Sequence, residues 1–432
     1  MGITFSFLIF VCVIATYFLN RRLPGGLVLE PGILFVTILF AVTLNSTIAY
    51  LIYGTSLNNE PPWKLWNDDI LEYVLFLHII LIVPFTITYL FLISRFERNK
   101  QPLSSLYSAK IQSFYTINVW IPITLVVVLG SYTLNILSLN YLHVYYSVVV
   151  DLSVSALYAT ILIRFKTKRV MIFSSIIFSC FLMFVYVPLM NEAPYTVNKS
   201  GVIKLLVFGL VLVELVKYRG QSIKLPALYT GIFFVMLLSG SANYIEALIN
   251  GSNVDFHDLV KYVLSGIEWR MLENTAVVID AVEKSKVSFI YGESFFSAFN
   301  ELFFPYQDNL QLSEWIVQLI PGDPTRTARY AFSIIAEGYI NFGNTGVALA
   351  GIITAFLLYM IRYSLLVNSR FSPLFYSASI VLPYYLFRTH LLYGFKKVEL
   401  TIIAILILIS IYYFLRAASK NLNQEASNEK RG

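Results

Sequence analysis

The chain has 432 residues, 57% of them hydrophobic and 13% charged. A soluble domain of that length does not carry so many long apolar runs, so the composition excludes a soluble enzyme and marks a polytopic membrane protein. The net charge of +6 is weighed against loop topology before anything else, and no nucleic-acid partner is expected.

Eleven segments are apolar and long enough to cross a bilayer at about 20 residues each. They lie near 3–19, 33–53, 70–93, 114–137, 142–163, 170–190, 200–216, 225–249, 344–361, 372–388 and 398–415. The first lacks a basic leader and a small-residue cleavage site, so it reads as a helix and not a signal peptide. Pro84 and Pro122 fall inside spans and predict kinks. Cys12 and Cys180 both sit in apolar runs, which supports neither a disulfide framework nor a metal cluster.

Basic residues alternate with the spans. Arg21 and Arg22 follow the first; Arg95, Arg98, Lys100 and Lys110 the third; Arg164, Lys166, Lys168 and Arg169 the fifth. Lys217, Arg219 and Lys224 follow the seventh, Arg362 and Arg370 the ninth, and Arg416, Lys420, Lys430 and Arg431 fill the tail. The positive-inside rule then puts the N-terminus outside and the C-terminus in the cytoplasm.

One outer loop stands apart. From Asn250 to Gly343 the chain leaves the membrane for far longer than an ordinary connection. It is rich in aromatic and branched side chains, so it is not a disordered linker. Residues 258–282 show helical apolar spacing. Residues 293–304 predict an amphipathic helix on the membrane surface, stopped by Pro305, and 312–320 a third short helix. The organisation expected is therefore spans one to eight over 1–249, a helical cap over 250–343, spans nine to eleven over 344–415, and a cytoplasmic tail over 416–432.

The chemistry concentrates at AEGYINFGNTGVALAG, 336–351. Asn344 can cap the ninth span, whose N-terminus then favours an anion. Gly338, Gly343 and Gly346 permit close backbone approach to a ligand or to another helix; the spacing leaves both uses open. Upstream, Arg326 and Arg329 form an i, i+3 pair able to converge on one phosphate group. Arg270 on the cap and Arg388, beside His390 at the outer end of span ten, are further cations where topology does not demand them. Glu72, Glu293, Glu337 and Glu399 are acids near the same plane, available as a base on a sugar hydroxyl or as partners of the arginines. Asp151 lies mid-span, and His78 reads as a satisfied interhelical histidine. The chain has no phosphate-binding glycine loop, dinucleotide fingerprint or metal-ligand spacing.

The order YGESF (291–295), a proline-containing stretch, then SIIAEGYINFGNTGV (333–347) opening a helix resembles the bacterial O-antigen, or oligosaccharide repeat-unit, polymerases of the Wzy type. The resemblance covers about residues 250–361. Its core is ExYxNFGxxG, here Glu337, Tyr339, Asn341, Phe342, Gly343 and Gly346. It implies an all-α, GT-C-like membrane fold and an inverting, metal-independent glycosyltransferase without cofactors. Such an enzyme joins undecaprenyl-pyrophosphate-linked repeat units on the periplasmic face of the bacterial inner membrane, with a Wzz-type co-polymerase setting chain length. Carried over, Arg270, Arg326, Arg329 and Arg388 would hold the pyrophosphate, Glu337 or Glu293 would act as base, and Tyr339, Asn341 and Gly343 would contact sugar or backbone. The chain departs from the family's RX10G pattern: Arg270 meets Ala281 at that spacing, and Arg326 reaches Gly338 one residue late. The alternatives are an O-antigen ligase, against which the lack of a histidine beside the acidic motif counts, and a lipid-linked oligosaccharide flippase, which would show internal repeats.

Overall fold

The computed structural model describes residues 2–22, 30–53, 68–97, 114–136, 140–165, 207–209, 211–216, 271–303, 312–315, 332–367 and 369–429, and within them every regular element is helical. In chain order these are α1 (Gly2–Arg22), α2 (Pro31–Tyr53), α3 (Asp68–Phe96), α4 (Ile117–Ile136), α5 (Asn140–Ile163), α6 (Met271–Glu283) and α7 (Glu293–Phe303). There follow α8 (Leu312–Trp315), α9 (Ile334–Ser364), α10 (Ser372–Ser379), α11 (Leu382–Arg388) and α12 (Leu391–Glu429). Five of them, α1, α3, α4, α9 and α12, are long and apolar enough to cross a membrane. Their outward faces are apolar in helical register: Phe7, Phe10, Ile14 and Tyr17 on α1; Phe76, Val83, Ile87 and Phe91 on α3; Phe356, Met360 and Tyr363 on α9. Water does not tolerate stripes of that extent, and lipid does.

The expected spans one to five and eleven fall on α1 to α5 and α12. Spans six and eight, residues 200–206 of span seven, and Arg270, Arg326 and Arg329 lie outside the described residues. Span nine lengthens to α9, and span ten divides into α10 and α11 with a turn at Ile380 and Val381. Pro383 accounts for that division, since it lacks an N–H and its ring would collide with the carbonyl four residues back in a continuous helix. The helices containing Pro84 and Pro122, by contrast, run through them unbroken.

The helices sort into two compact units. One holds α1 to α3, α6 to α8, α9 as far as Arg362, α11 and the first turns of α12; the other holds α4, α5, α10 and the remainder of α12. In the first, α1, α3 and α9 run in one direction. Thr4 at the start of α1 donates to Glu72 at the start of α3 (2.6 Å). Tyr73 on α3 donates to Asn344 on α9 (2.8 Å), and further along Tyr89 meets Tyr359 edge-on. Between them α3 and α9 touch backbone to backbone, because a Cβ at Gly351 would lie 2.5 Å from the Leu81 carbonyl oxygen. The α2 helix runs the other way: Glu30, at its start, accepts a hydrogen bond from Tyr89 near the end of α3. These directions are those that successive crossings of a bilayer require of spans one, two, three and nine. The α6 helix packs against α3, and Asn274 to Ala281 are buried throughout, so this part of the expected cap belongs to the core.

In the second unit α4 packs along α5. Phe114, Trp120, Phe371 and Tyr412 form a ring cluster there. The Arg370 guanidinium lies over the Phe114 and Tyr412 rings and donates to the Tyr412 hydroxyl (2.8 Å).

Candidate functional site

The AEGYINFG stretch is not a cap followed by a helix but an elbow within one. Helical geometry fails at Phe342 (φ −146°, ψ 26°) and Gly343 (φ 61°, ψ −141°), and resumes at 344. The Gly343 conformation is one that side-chain-bearing residues avoid. Across the elbow the chain folds back, so that a Cβ on Gly338 would lie 2.8 Å from the Gly346 carbonyl oxygen, and a Cβ on Gly346 would run into the Gly338 oxygen. A straight helix would hold those two glycines roughly 12 Å apart. Of the two uses left open by the sequence, Gly338 and Gly346 therefore serve close helix packing.

A buried polar clamp fixes the elbow to the YGES segment. Glu337 and Asn341, one turn apart, are both 0% exposed. The Glu337 carboxylate accepts from the Ser294 hydroxyl (2.8 Å) at one oxygen and from the Leu391 amide (2.6 Å) at the other. Asn341 donates to the Ser294 hydroxyl oxygen (2.7 Å) and to the Glu337 carbonyl (2.7 Å), and accepts from the Gly292 amide (2.9 Å). The Ile290 amide adds a bond to the Ile340 carbonyl (3.1 Å). Among the described residues Glu337 has no cationic partner. Its charge faces the N-terminus of α12, where Leu391 is the first residue, and the helix dipole offsets part of it.

What the clamp presents outward is an aromatic and polar surface. Tyr291 is 74% exposed and holds a left-handed backbone (φ 46°), followed by Gly292 (φ 94°). Glu293, Phe342, Asn344 and Thr345 are exposed beside it in the chain or across the elbow. Rings continue inward from there: Tyr291 meets Phe289, Phe289 meets Tyr339, and Tyr339 meets Tyr73 at centroid separations of 6.4, 6.2 and 6.0 Å. On α7 the outward face carries Phe296 and Phe299 while Ser294 and Ala298 are buried, which is the amphipathic pattern expected of 293–304.

A second buried cluster occupies the far end of α9. Arg362 is 0% exposed and forks onto Glu97 through Nε (2.8 Å) and Nη2 (2.7 Å), with Nη1 3.8 Å from Glu30. Glu30 also accepts from the Tyr89 hydroxyl and, as the cap of α2, from the Ile33 amide (2.8 Å). Burial raises the Glu30 carboxyl above its ordinary value, against the pull of the Arg362 charge and the two hydrogen bonds. Sequence reasoning missed this cluster because Arg362 reads as a cytoplasmic topology signal.

The structure thus brings together Glu337, Asn341, Tyr339 and Gly343, with Glu293 exposed in the first turn of α7. Arg388 ends α11, three residues before the amide that binds Glu337. His78 is buried, its Nδ1 2.7 Å from the Val74 carbonyl of its own helix while its Nε2 meets no hydrogen-bond partner among the described residues, so it is not the satisfied interhelical histidine expected; Asp151 is exposed on α5. Among the described residues no group of acids, histidines and cysteines has the geometry of a metal site. The residues that sequence reasoning passed over here are Ser294, Tyr291 and the Leu391 amide; the first two lie in the quoted YGESF, and the third carries no side-chain signal at all. Compared with known proteins, the chain matches no family model, no curated protein and no solved structure.

Proposed function

We propose that this membrane protein is a glycosyltransferase that joins lipid-pyrophosphate-linked oligosaccharide repeat units, with the elbow of α9 at the floor of its site. The observation that supports the reading is the clamp itself. It is a buried carboxylate and amide on α9 that hold an aromatic, acid-bearing segment rigidly at one end of the membrane helices. Sites for transfer between two lipid-linked sugars need such a fixed outer surface next to lipid, since positioning and stabilisation of the departing charge supply most of the rate.

In this reading the eleven spans have the orientation given by the basic loops, and residues 250–343 lie on the periplasmic side of a bacterial inner membrane. A hydroxyl oxygen at the non-reducing end of the incoming unit attacks the anomeric carbon of the growing chain. The bond from that carbon to the undecaprenyl pyrophosphate breaks, the pyrophosphate leaves with the electron pair, and the hydroxyl proton passes to a base. Glu293, being exposed, is placed to take that proton; Glu337, with both oxygens occupied, acts by positioning Ser294 and α12. Arg270, Arg326, Arg329 and Arg388 are assigned to the pyrophosphate, and a co-polymerase partner to chain length.

The test is the surface polysaccharide ladder of cells lacking the gene. A single repeat unit on the core is the expected result. Loss of all surface repeats with long lipid-linked chains accumulating would replace the polymerase with a ligase, and units trapped on the inner face would replace it with a flippase. Within the reading, Arg326→Ala, Arg329→Ala and Arg388→Ala should each abolish polymerisation at normal protein level, with Arg→Lys restoring little because the planar fork is lost. Wild-type ladders from all three would remove the arginines from the site.

A further inference from the structure

We propose that Tyr291 is a stacking platform for a pyranose ring, with Phe342 as its second face and Glu293 and Asn344 as hydrogen-bonding partners for the ring hydroxyls. The proposal rests on the polymerase reading and names the part of the site that grips carbohydrate.

It begins with an oddity. Tyr291 is an exposed aromatic residue in a left-handed backbone conformation (φ 46°), which side chains with a Cβ adopt at a cost. An exposed tyrosine in a loop loses little packing by relaxing, here one edge contact with Phe289. This one is prevented by bonds on both sides of it: Ile290 to the Ile340 carbonyl, Gly292 to Asn341, and Ser294 to Glu337 and Asn341. Four hydrogen bonds to three buried residues thus fix the backbone on both sides of one outward ring.

The surroundings say which ligand suits it. Gly292 separates Tyr291 from Phe342, and a Cβ at Gly292 would lie 2.9 Å from the tip of the Phe342 ring. That ring is 39% exposed and backed by Phe295 (6.4 Å). An acid, Glu293, follows directly, and the amide of Asn344 is oriented by the Tyr73 hydroxyl (2.8 Å). Flat aromatic faces for the C–H side of a sugar, with a carboxylate and an amide for its hydroxyls, is the donor and acceptor set that carbohydrate presents. Lipid offers a weaker explanation. Phe296 and Phe299 on α7 serve a fluid apolar surface from an ordinary helix, and a fluid contact needs no fixed ring orientation.

The experiment uses the full-length protein in nanodiscs and the free repeat-unit oligosaccharide, released by mild acid from the lipid-linked intermediate of the source cells. Saturation-transfer NMR should show the sugar bound by wild-type protein. Tyr291→Ala should weaken binding at least tenfold, while Tyr291→Trp and Tyr291→Phe keep it within about threefold, because all three rings offer a stacking face. Gly292→Ala, which pushes on Phe342, should also weaken it. Wild-type binding in Tyr291→Ala would overturn the platform and leave the polymerase reading untouched. A spin label at Tyr291→Cys that is reached by oxygen but not by an aqueous nickel chelate would overturn it too, as a membrane anchor. The polymerase reading falls separately, on an intact ladder in cells lacking the gene.

Discussion

The two ends of α9 solve one problem in different ways. At one end Glu97 and Glu30 are buried and share Arg362, which forks onto the first. At the other, Glu337 is buried as deeply and, among the described residues, meets a hydroxyl and an amide and no cation. Both Glu30 and Glu337 receive the amide of a helix's opening turn, at α2 and at α12. The difference is the cation. An ion pair of that geometry ties three helices together through one guanidinium, two of whose nitrogens bond Glu97 while the third lies 3.8 Å from Glu30. Among the described residues the Glu337 carboxylate is held by hydrogen bonds and the opening turn of α12, and its partners are the segments that carry the exposed surface. The Arg362 end is fastened by charge, and the Glu337 end is fastened by hydrogen bonds to the YGES segment and α12.

The largest effect should come from breaking the fastening. Arg362→Leu strands two buried carboxylates, a loss of about 3–5 kcal/mol for a buried pair with one partner removed, read as a collapse in membrane yield and in thermal stability. Adding Glu97→Gln should recover part of it, because the cost lies in the orphaned charge; a double variant no better than the single would mean that packing and not charge dominates. At the other end, Gly346→Ala drives a methyl group into the Gly338 carbonyl and should cost about 1–3 kcal/mol by overpacking, with loss of activity ahead of loss of protein.

Glu337 sharpens the contrast. Glu337→Gln can still accept from Leu391 and donate to the Ser294 oxygen, so folding should survive while turnover falls as Tyr291 and Glu293 shift. Glu337→Ala leaves the buried Leu391 amide unpaired and the Ser294 O–H without an acceptor, about 1–3 kcal/mol. Equal thermal stability in the two variants would show that the carboxylate position is not buried as described, and unchanged turnover in Glu337→Gln would leave it a packing residue only.

How far this was legible in the sequence follows from what the signals are. Apolar runs of bilayer length located α1 to α5 and α12, because the bilayer imposes length directly. Five helices long enough to span stand among the described residues; the full count of eleven, and the cap over 250–270, rest on the sequence. The stretch at 336–351 announced itself by its glycines, and the elbow falls at the Gly343/Asn344 boundary drawn between cap and span. Its internal logic was hidden. Glu337 and Asn341 share a helix face by spacing, but their partners come from 292–294 and from a backbone amide at 391, and no local pattern encodes contacts so distant. Arg362 misled for the opposite reason: a charge at a span end fits topology so well that burial was not considered. Pro84 and Pro122 lie inside unbroken helices, while the helices part at Gly343 and ahead of Pro383.

The finest test compares two tyrosines on α3, each reaching one end of α9. Tyr89 is fully buried, and its hydroxyl is one of the donors to Glu30. Tyr73 bonds Asn344 in an exposed position. In Tyr89→Phe a buried carboxylate oxygen loses its donor and no water replaces it, so stability should drop by about 1–3 kcal/mol. In Tyr73→Phe water takes over the amide, and the change should stay below about 1 kcal/mol, while sugar binding weakens because Asn344 is no longer oriented. If instead Tyr73→Phe destabilises as much as Tyr89→Phe, the elbow is as much a structural fastening as the Arg362 cluster. The division of α9 into a locked end and a working end would then have to be given up.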